Sequence, residues 1–265
     1  IIFDKKIMPS KFMNTIISKD KDSFNYFKYA LGEIFLVAIG VLIAVQVNNW
    51  NEERLLKIQK KEKLLNLYTA IKKDSEFLNE LSDSNNFRYN SINQLLKWMK
   101  LPSKKLDNFV PDLSSKVIWS KEVPINYNEE FYKTTIRWIN RSKKMMIQSY
   151  AMDELKSSGF YSKINNKKLK TLLNDYYNDL YWVFGNKEHR KNVNEFKEHL
   201  RDKYNFVLGD LLYLENPIQF IKTKKDLIVR LKLISGTASW RGHSAKLSQL
   251  MAEKVLVVLK EEIDL

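Results

Sequence analysis

Cysteine is absent from this chain, and glycine and proline are scarce, at seven and five in 265 residues. Without thiols, disulfides, thiol catalysis and thiolate metal sites are excluded. The lack of cysteine is compatible with either side of a membrane. Few turn formers, beside plentiful Leu, Lys, Glu and Asn, favour helices over a turn-rich sheet protein. Histidine is scarce too: His189, His199 and His243 are the three, and none sits in a His-Glu-x-x-His arrangement. No glycine-rich phosphate loop, nucleophile elbow or pair of catalytic carboxylates can be located. No cofactor is therefore expected, and the sequence leans away from an enzyme.

The hydrophobic share is 44%, enough to build a core. Net charge is +14, which raises nucleic acid or anionic lipid as partners. The lysines are spread along the whole chain, as at Lys60-Lys61, Lys104-Lys105, Lys167-Lys168 and Lys224-Lys225. A nucleic-acid site concentrates charge on one face or tail, so nucleic acid is disfavoured.

From Ile34 to Val45 no residue is polar, and no charge occurs between Glu33 and Glu52. Apolar side chains cover every angle of a helix here, leaving no face for water. About 20 residues at 1.5 Å rise cross a hydrocarbon layer. The strictly apolar run is shorter than that, and the flanks extend it. Tyr26, Tyr29 and Trp50 suit the two headgroup belts, and Lys28 and Arg54 can snorkel outward. About ten Leu, Ile, Val and Phe residues at −0.3 to −0.6 kcal/mol each outweigh the single off-centre carboxyl of Glu33. The run ends in Gln46-Val-Asn-Asn-Trp50 rather than a small-residue cleavage site, which reads as an uncleaved anchor. Within it, Gly40 and Ala44 form a small-xxx-small pair that lets a second helix approach, although both residues are common in spans. The chain begins at Ile1, as a piece of a longer reading frame would.

The stretch Tyr29-Ala-Leu-Gly-Glu-Ile-Phe-Leu-Val-Ala-Ile-Gly-Val-Leu-Ile-Ala-Val-Gln-Val-Asn-Asn-Trp-Asn-Glu-Glu-Arg54 resembles the amino-terminal signature of an uncharacterised bacterial family of single-span membrane proteins. Asp153-Glu-Leu-Lys-Ser-Ser-Gly159, Ile164-Asn-Asn-Lys-Lys-Leu169 and Tyr176-Tyr177 resemble its second recurrent block. The likeness implies a bacterial cytoplasmic membrane and a single pass. The family has no assigned activity, so the likeness implies no mechanism.

After the anchor, Leu64, Leu67, Ile71, Leu78 and Leu81 fall at helical spacing, with Asp74 and Ser75 inward. Packing against the chain's own later helices is favoured over a dimeric coiled coil. Ile92, Leu95, Leu96 and Met99 make a second short helix that Pro102 ends. Pro102, Pro111 and Pro124 mark an irregular stretch, in which Val117-Ile-Trp119 is a candidate short strand. Helix resumes from about Glu129 through Lys156. Gly159 is a left-handed stop with Phe160 folding back. Asn165 is a cap for the next helix, which carries Leu169, Leu172, Leu173, Tyr176 and Leu180 on one side. A helix of about Lys187 to Lys203 follows Gly185, and Asn216-Pro217 marks a break. The final helix has apolar positions Leu247, Leu250, Met251, Val255, Val258 and Leu259. Tyr and Trp fall mostly at helical spacing and read as core.

The expected fold is all-α: one amino-terminal transmembrane helix continuing into an antiparallel helical bundle. Residues 1–25 form a basic leader, 26–50 the transmembrane helix, and 51–265 the helical domain, with its irregular excursion near 101–128. The best metal-like constellation is Glu188, Glu195 and His199, on one helix face by steps of seven and four. Lys187, Lys191, Lys197 and Lys203 crowd that helix, and a solvated face accounts for it. Basic residues are nearly balanced across the span. The short basic leader before a long domain leans the domain outward, into the periplasm. The partners expected are the bilayer and a protein partner or second copy. The alternatives are an enzyme with a pocket that the sequence does not reveal, or a basic surface for anionic lipid or nucleic acid.

Overall fold

The computed structural model describes residues 10–102, 117–141, 147–185 and 188–264, with side chains from Lys28 onward. The described residues form seven α-helices and no strand: α1 Ser10–Trp98, α2 Glu129–Asn140, α3 Tyr150–Ser157, α4 Lys167–Gly185, α5 Glu188–Tyr204, α6 Pro217–Lys222 and α7 Lys225–Asp264. A 3-10 turn, Leu208–Leu212, precedes α6. The chain divides into two compact units, Ile1–Lys60 and Lys61–Leu265.

In the first unit, every described side chain from Lys28 to Gln59 is exposed, apolar ones included. Ala, Leu, Glu, Gln, Lys and Arg with β-branched Ile and Val make up most of residues 28–60, and no Pro interrupts them.

The second unit holds the core. The stripe Leu64, Leu67, Ile71, Leu78 and Leu81 is buried against Met152 and Leu155 of α3, Leu169, Leu173, Tyr176 and Leu180 of α4, and Ala245, Ala252, Val255 and Leu259 of α7. The stripe therefore packs on the chain's own helices, as its spacing predicts. A second cluster joins Ile92, Leu95 and Leu96 to Tyr132 and Ile136 of α2, Phe196 and Leu200 of α5, and Leu227, Leu231 and Ile234 of α7. Partner pairs along α1 and α7 run in opposite order, Ser82 with Gly242 and Asn93 with Ser235. The same reversal holds for α4 with α7 (Asp179–Ser248, Trp182–Trp240) and for α5 with α7 (His199–Asp226, His189–Thr237).

Several expectations need correction. The helix of Ile92 to Met99 is not separate; α1 runs through it to Trp98. The intervening Ser82, Ser84, Asn85, Asn86 and Arg88 hide the apolar period, yet all are buried, bonded to helix carbonyls or to one another. Val117-Ile-Trp119 is no strand. Instead Trp119 is buried edge-on against Phe131, with ring centroids 5.0 Å apart, and its indole N–H donates to the Glu122 carbonyl. The final helix begins at Lys225, and Leu247 and Leu250 on it are exposed, because in its middle turns the buried face is made of small residues, Ala238, Gly242, Ala245, Ser248 and Ala252.

Helix ends follow local chemistry. Gly159 sits at φ +76, and the Tyr161 N–H reaches back to the Leu155 carbonyl, closing α3 with Phe160 buried. The cap of α4 is Asn166, one residue beyond the expected Asn165, with its side-chain oxygen accepting from the Leu169 N–H. Asn128 caps α2 in the same way through the Phe131 N–H. The helix expected from Glu129 to Lys156 is two helices, and residues 142–146 between them lie outside the described ones. So do Pro111 and the rest of 103–116, and Lys187.

Candidate functional site

Four places in the molecule carry chemistry, and the first is the apolar run of α1. Phe35, Leu36 and Leu42 are about 70% exposed and Ile34 66%. Roughly ten such side chains left in water would forgo on the order of 20 kcal/mol of burial. α1 is the one described helix long and apolar enough to cross a membrane. Lys28, Tyr29, Trp50 and Arg54 are exposed at the two ends of the apolar run, whereas the Tyr26 side chain and Lys11, Lys19 and Lys21 lie outside the described side chains. A Cβ built on Gly40 would meet nothing within 4 Å. Neither Gly40 nor the exposed Ala44 is used for packing within the chain.

The second place is Asp226, in the first turn of α7. His199 Nε2 lies 2.5 Å from Oδ2, Lys203 Nζ donates at 2.8 Å, and the Tyr204 hydroxyl donates at 2.7 Å. Burial opposes the charge on Asp226, but these bonds from Lys203, His199 and Tyr204 hold its carboxyl well below the usual carboxylate range. Two of the three residues in the sequence candidate Glu188, Glu195 and His199 have other partners. His199 turns to Asp226, and Glu195 faces Arg230 at 3.6 Å and Lys191 at 3.9 Å. Among the described residues no three His, Asp or Glu side chains gather so as to hold a metal ion. With one carboxylate engaged by three donors, the cluster anchors α5 to the start of α7.

The third place is a buried polar layer between α1, α2, α5 and α7. Arg88 is 2% exposed. Its Nε donates to the Trp138 carbonyl at 3.0 Å and one terminal nitrogen to Asn85 Oδ1 at 2.5 Å; the other donates to the Arg141 carbonyl. Among the described residues no carboxylate pairs with it. Both carbonyls belong to the carboxyl-terminal end of α2, whose dipole is negative there. Burial, and then the charge of Arg241, lowers Arg88 to about 10. Burial and the same two guanidiniums push His189 down to about 3, so its imidazole is neutral. The Thr237 hydroxyl already donates to the carbonyls of its own helix, so the Nδ1–H of His189 donates to it at 3.0 Å.

The fourth place is a groove of about 460 Å³ at the carboxyl-terminal end of α1, lined by Lys97, Trp98, Lys100, the 125–127 segment and residues 215–219. The Trp98 indole N–H donates to the Ile125 carbonyl at 2.8 Å, which fixes one wall.

Sequence reading reached the first of these places and none of the others, because each of the others joins segments 22 or more positions apart. Aromatic residues are also less uniformly core than their spacing suggests: Trp119, Tyr132 and Tyr176 are buried, but Tyr181, Trp182 and Tyr213 are more than 70% exposed. No family model, no curated protein and no solved structure matches this chain.

Proposed function

We propose that this chain is a single-pass membrane protein, held in a bilayer by α1 residues 26–50, whose second unit is an antiparallel helical bundle acting as a protein-interaction, scaffold or sensing module. One observation carries the reading: an apolar run exposed on every face of its helix has no solvent other than lipid tails. The resemblance of Tyr29–Arg54 to a single-span bacterial family supports the same placement and a cytoplasmic membrane. The short basic leader favours a domain facing outward, into the periplasm. Gly40 and Ala44 leave room for a second helix, from a partner or another copy.

Two experiments test this. Membranes are washed at high pH and centrifuged: the chain is expected in the pellet, released only by detergent, and recovery in the wash would refute the anchor. A reporter fused after Leu265 that is active only outside the cytosol is expected to report. Activity of a cytosol-only reporter at that position would reverse the orientation.

A further inference from the structure

We propose that the groove at the carboxyl-terminal end of α1 binds a small zwitterionic ligand with an apolar body, of the amino-acid or short-peptide class. Its volume, about 460 Å³, lies within the range of small-molecule sites. Lys97 and Lys100 line it together with Glu215. Among the described residues none of these three charges is engaged in an ion pair, although acidic and basic side chains pair elsewhere on the same unit. Two cations and one anion that line one groove, unpaired among the described residues, match a ligand with a carboxylate at one end and an ammonium at the other.

Trp98, Ile125, Tyr127, Pro217 and Ile218 supply the apolar part of the lining. Trp98 and Tyr127 meet edge to face, with ring centroids 5.5 Å apart, and Pro217 is buried at the start of α6. Trp98 is held by its bond to Ile125, and Gln94, one turn before it, donates to the Pro124 carbonyl at 2.9 Å. These two bonds fix the 124–127 segment against α1, so the groove is largely formed before any ligand arrives. Lys100 stands at φ +56 just past the last turn of α1, where the Leu101 N–H bonds back to the Leu96 carbonyl. That turn aims the chain, and Lys100 with it, away from the helix axis. The asparagine amide of Asn126 adds a neutral donor and acceptor suited to a peptide group.

The test uses the detergent-solubilised full chain and isothermal titration with a panel of unblocked dipeptides bearing Leu, Ile, Phe or Trp. Each is compared with its amino-acetylated and carboxyl-amidated forms. Saturable binding at one site per chain is expected from at least one unblocked dipeptide. Blocking either end should weaken it by roughly threefold to fivefold, the scale of an exposed ion contact. Lys97→Gln with Lys100→Gln should abolish the amidation penalty, and Glu215→Gln the acetylation penalty. All three residues are exposed, so these variants keep the fold, and circular dichroism checks it. Absence of binding by the whole panel, blocked forms binding equally, or penalties indifferent to the substitutions would each overturn the proposal. None of these outcomes bears on membrane attachment, which fractionation reads separately.

Discussion

Replacing Asp74 by asparagine exchanges one carboxylate oxygen for an amide nitrogen at a position 2% exposed in the core of the second unit. The carboxylate accepts two bonds, from the Gln148 N–H at 3.2 Å and the Tyr176 hydroxyl at 3.2 Å, and among the described residues no cation touches it. Burial raises its carboxyl to about 6 against those two bonds. The group is thus protonated in the folded chain below about pH 6 and in the unfolded chain only below about pH 4. Its contribution to stability is complete below about pH 4, declines as pH rises from 4 to 6, and is lost above that. The loss is about two pH units at 1.36 kcal/mol each, or about 3 kcal/mol. Asparagine has no ionised form to penalise. Its oxygen still accepts from Gln148, and its amide can donate to the Tyr176 oxygen once that hydroxyl rotates.

At pH 7.5 the Asp74→Asn variant should therefore be more stable than the parent chain by about 2 kcal/mol, after a discount for its weaker neutral bonds. For a unit of this size that is roughly 4–8 °C in Tm. At pH 4 only that discount should separate the two, leaving the parent chain the more stable by about 1 kcal/mol. Thermal unfolding followed by circular dichroism in detergent, from pH 4 to 8, reads the difference as a single-site titration curve. A gap that stays constant across that range, or a variant no more stable at pH 7.5, would refute the claim that Asp74 is ionised at the expense of the fold.

Three further predictions follow from packing and caps. Gly242→Ala places a Cβ 2.4 Å from Asn86 Oδ1 and 3.3 Å from Asn85 Cβ; it should cost about 1–2 kcal/mol in denaturant titration, and Asn86→Ala in the same chain should recover part of it. Arg88→Ala should cost about 3 kcal/mol or more by leaving the Trp138 and Arg141 carbonyls without their donors, and Arg88→Lys should not restore it, since one ammonium cannot replace a planar fork. Asn128→Ala should cost about 1 kcal/mol through loss of the α2 cap, and Asn128→Ser should restore most of it.

Helical class was legible wherever large apolar residues recur, as from Leu64 to Leu81 and from Leu169 to Leu180, because periodicity reports a buried face directly. The stop at Gly159 was legible from one residue's backbone freedom. The cap of α4 was misplaced by one position, since Asn165 and Asn166 offer the same chemistry and only geometry separates them. The continuity of α1 past Leu81 was hidden: its buried face there is polar, and such a face carries no apolar period. The buried face of the middle of α7 was hidden for a related reason, because Ala238, Gly242 and Ala245 are small and leave no large apolar period. Of the candidate sites, only the apolar run is written in consecutive residues. Asp226, Arg88 and the groove each exist only after distant segments meet.

The excess of basic over acidic residues, 45 to 31, bears on how the second unit disposes of its buried charge. Helix ends serve as counter-charges at two of its charged groups, one a cation and one an anion. Arg88 is answered by the last carbonyls of α2, and Asp226 lies in the first turn of α7, where the dipole is positive and Lys203, His199 and Tyr204 converge. A helix end holds its partial charge at every pH, whereas a carboxylate partner is lost on protonation. Arg88 should therefore keep its place through acid that neutralises Asp74, so acid titration should leave the α1–α2 contact intact while altering only the α1–α4 core around Tyr176. That separation is a consequence of which groups face each charge, and it follows from the placement of two helix termini rather than from the number of ion pairs.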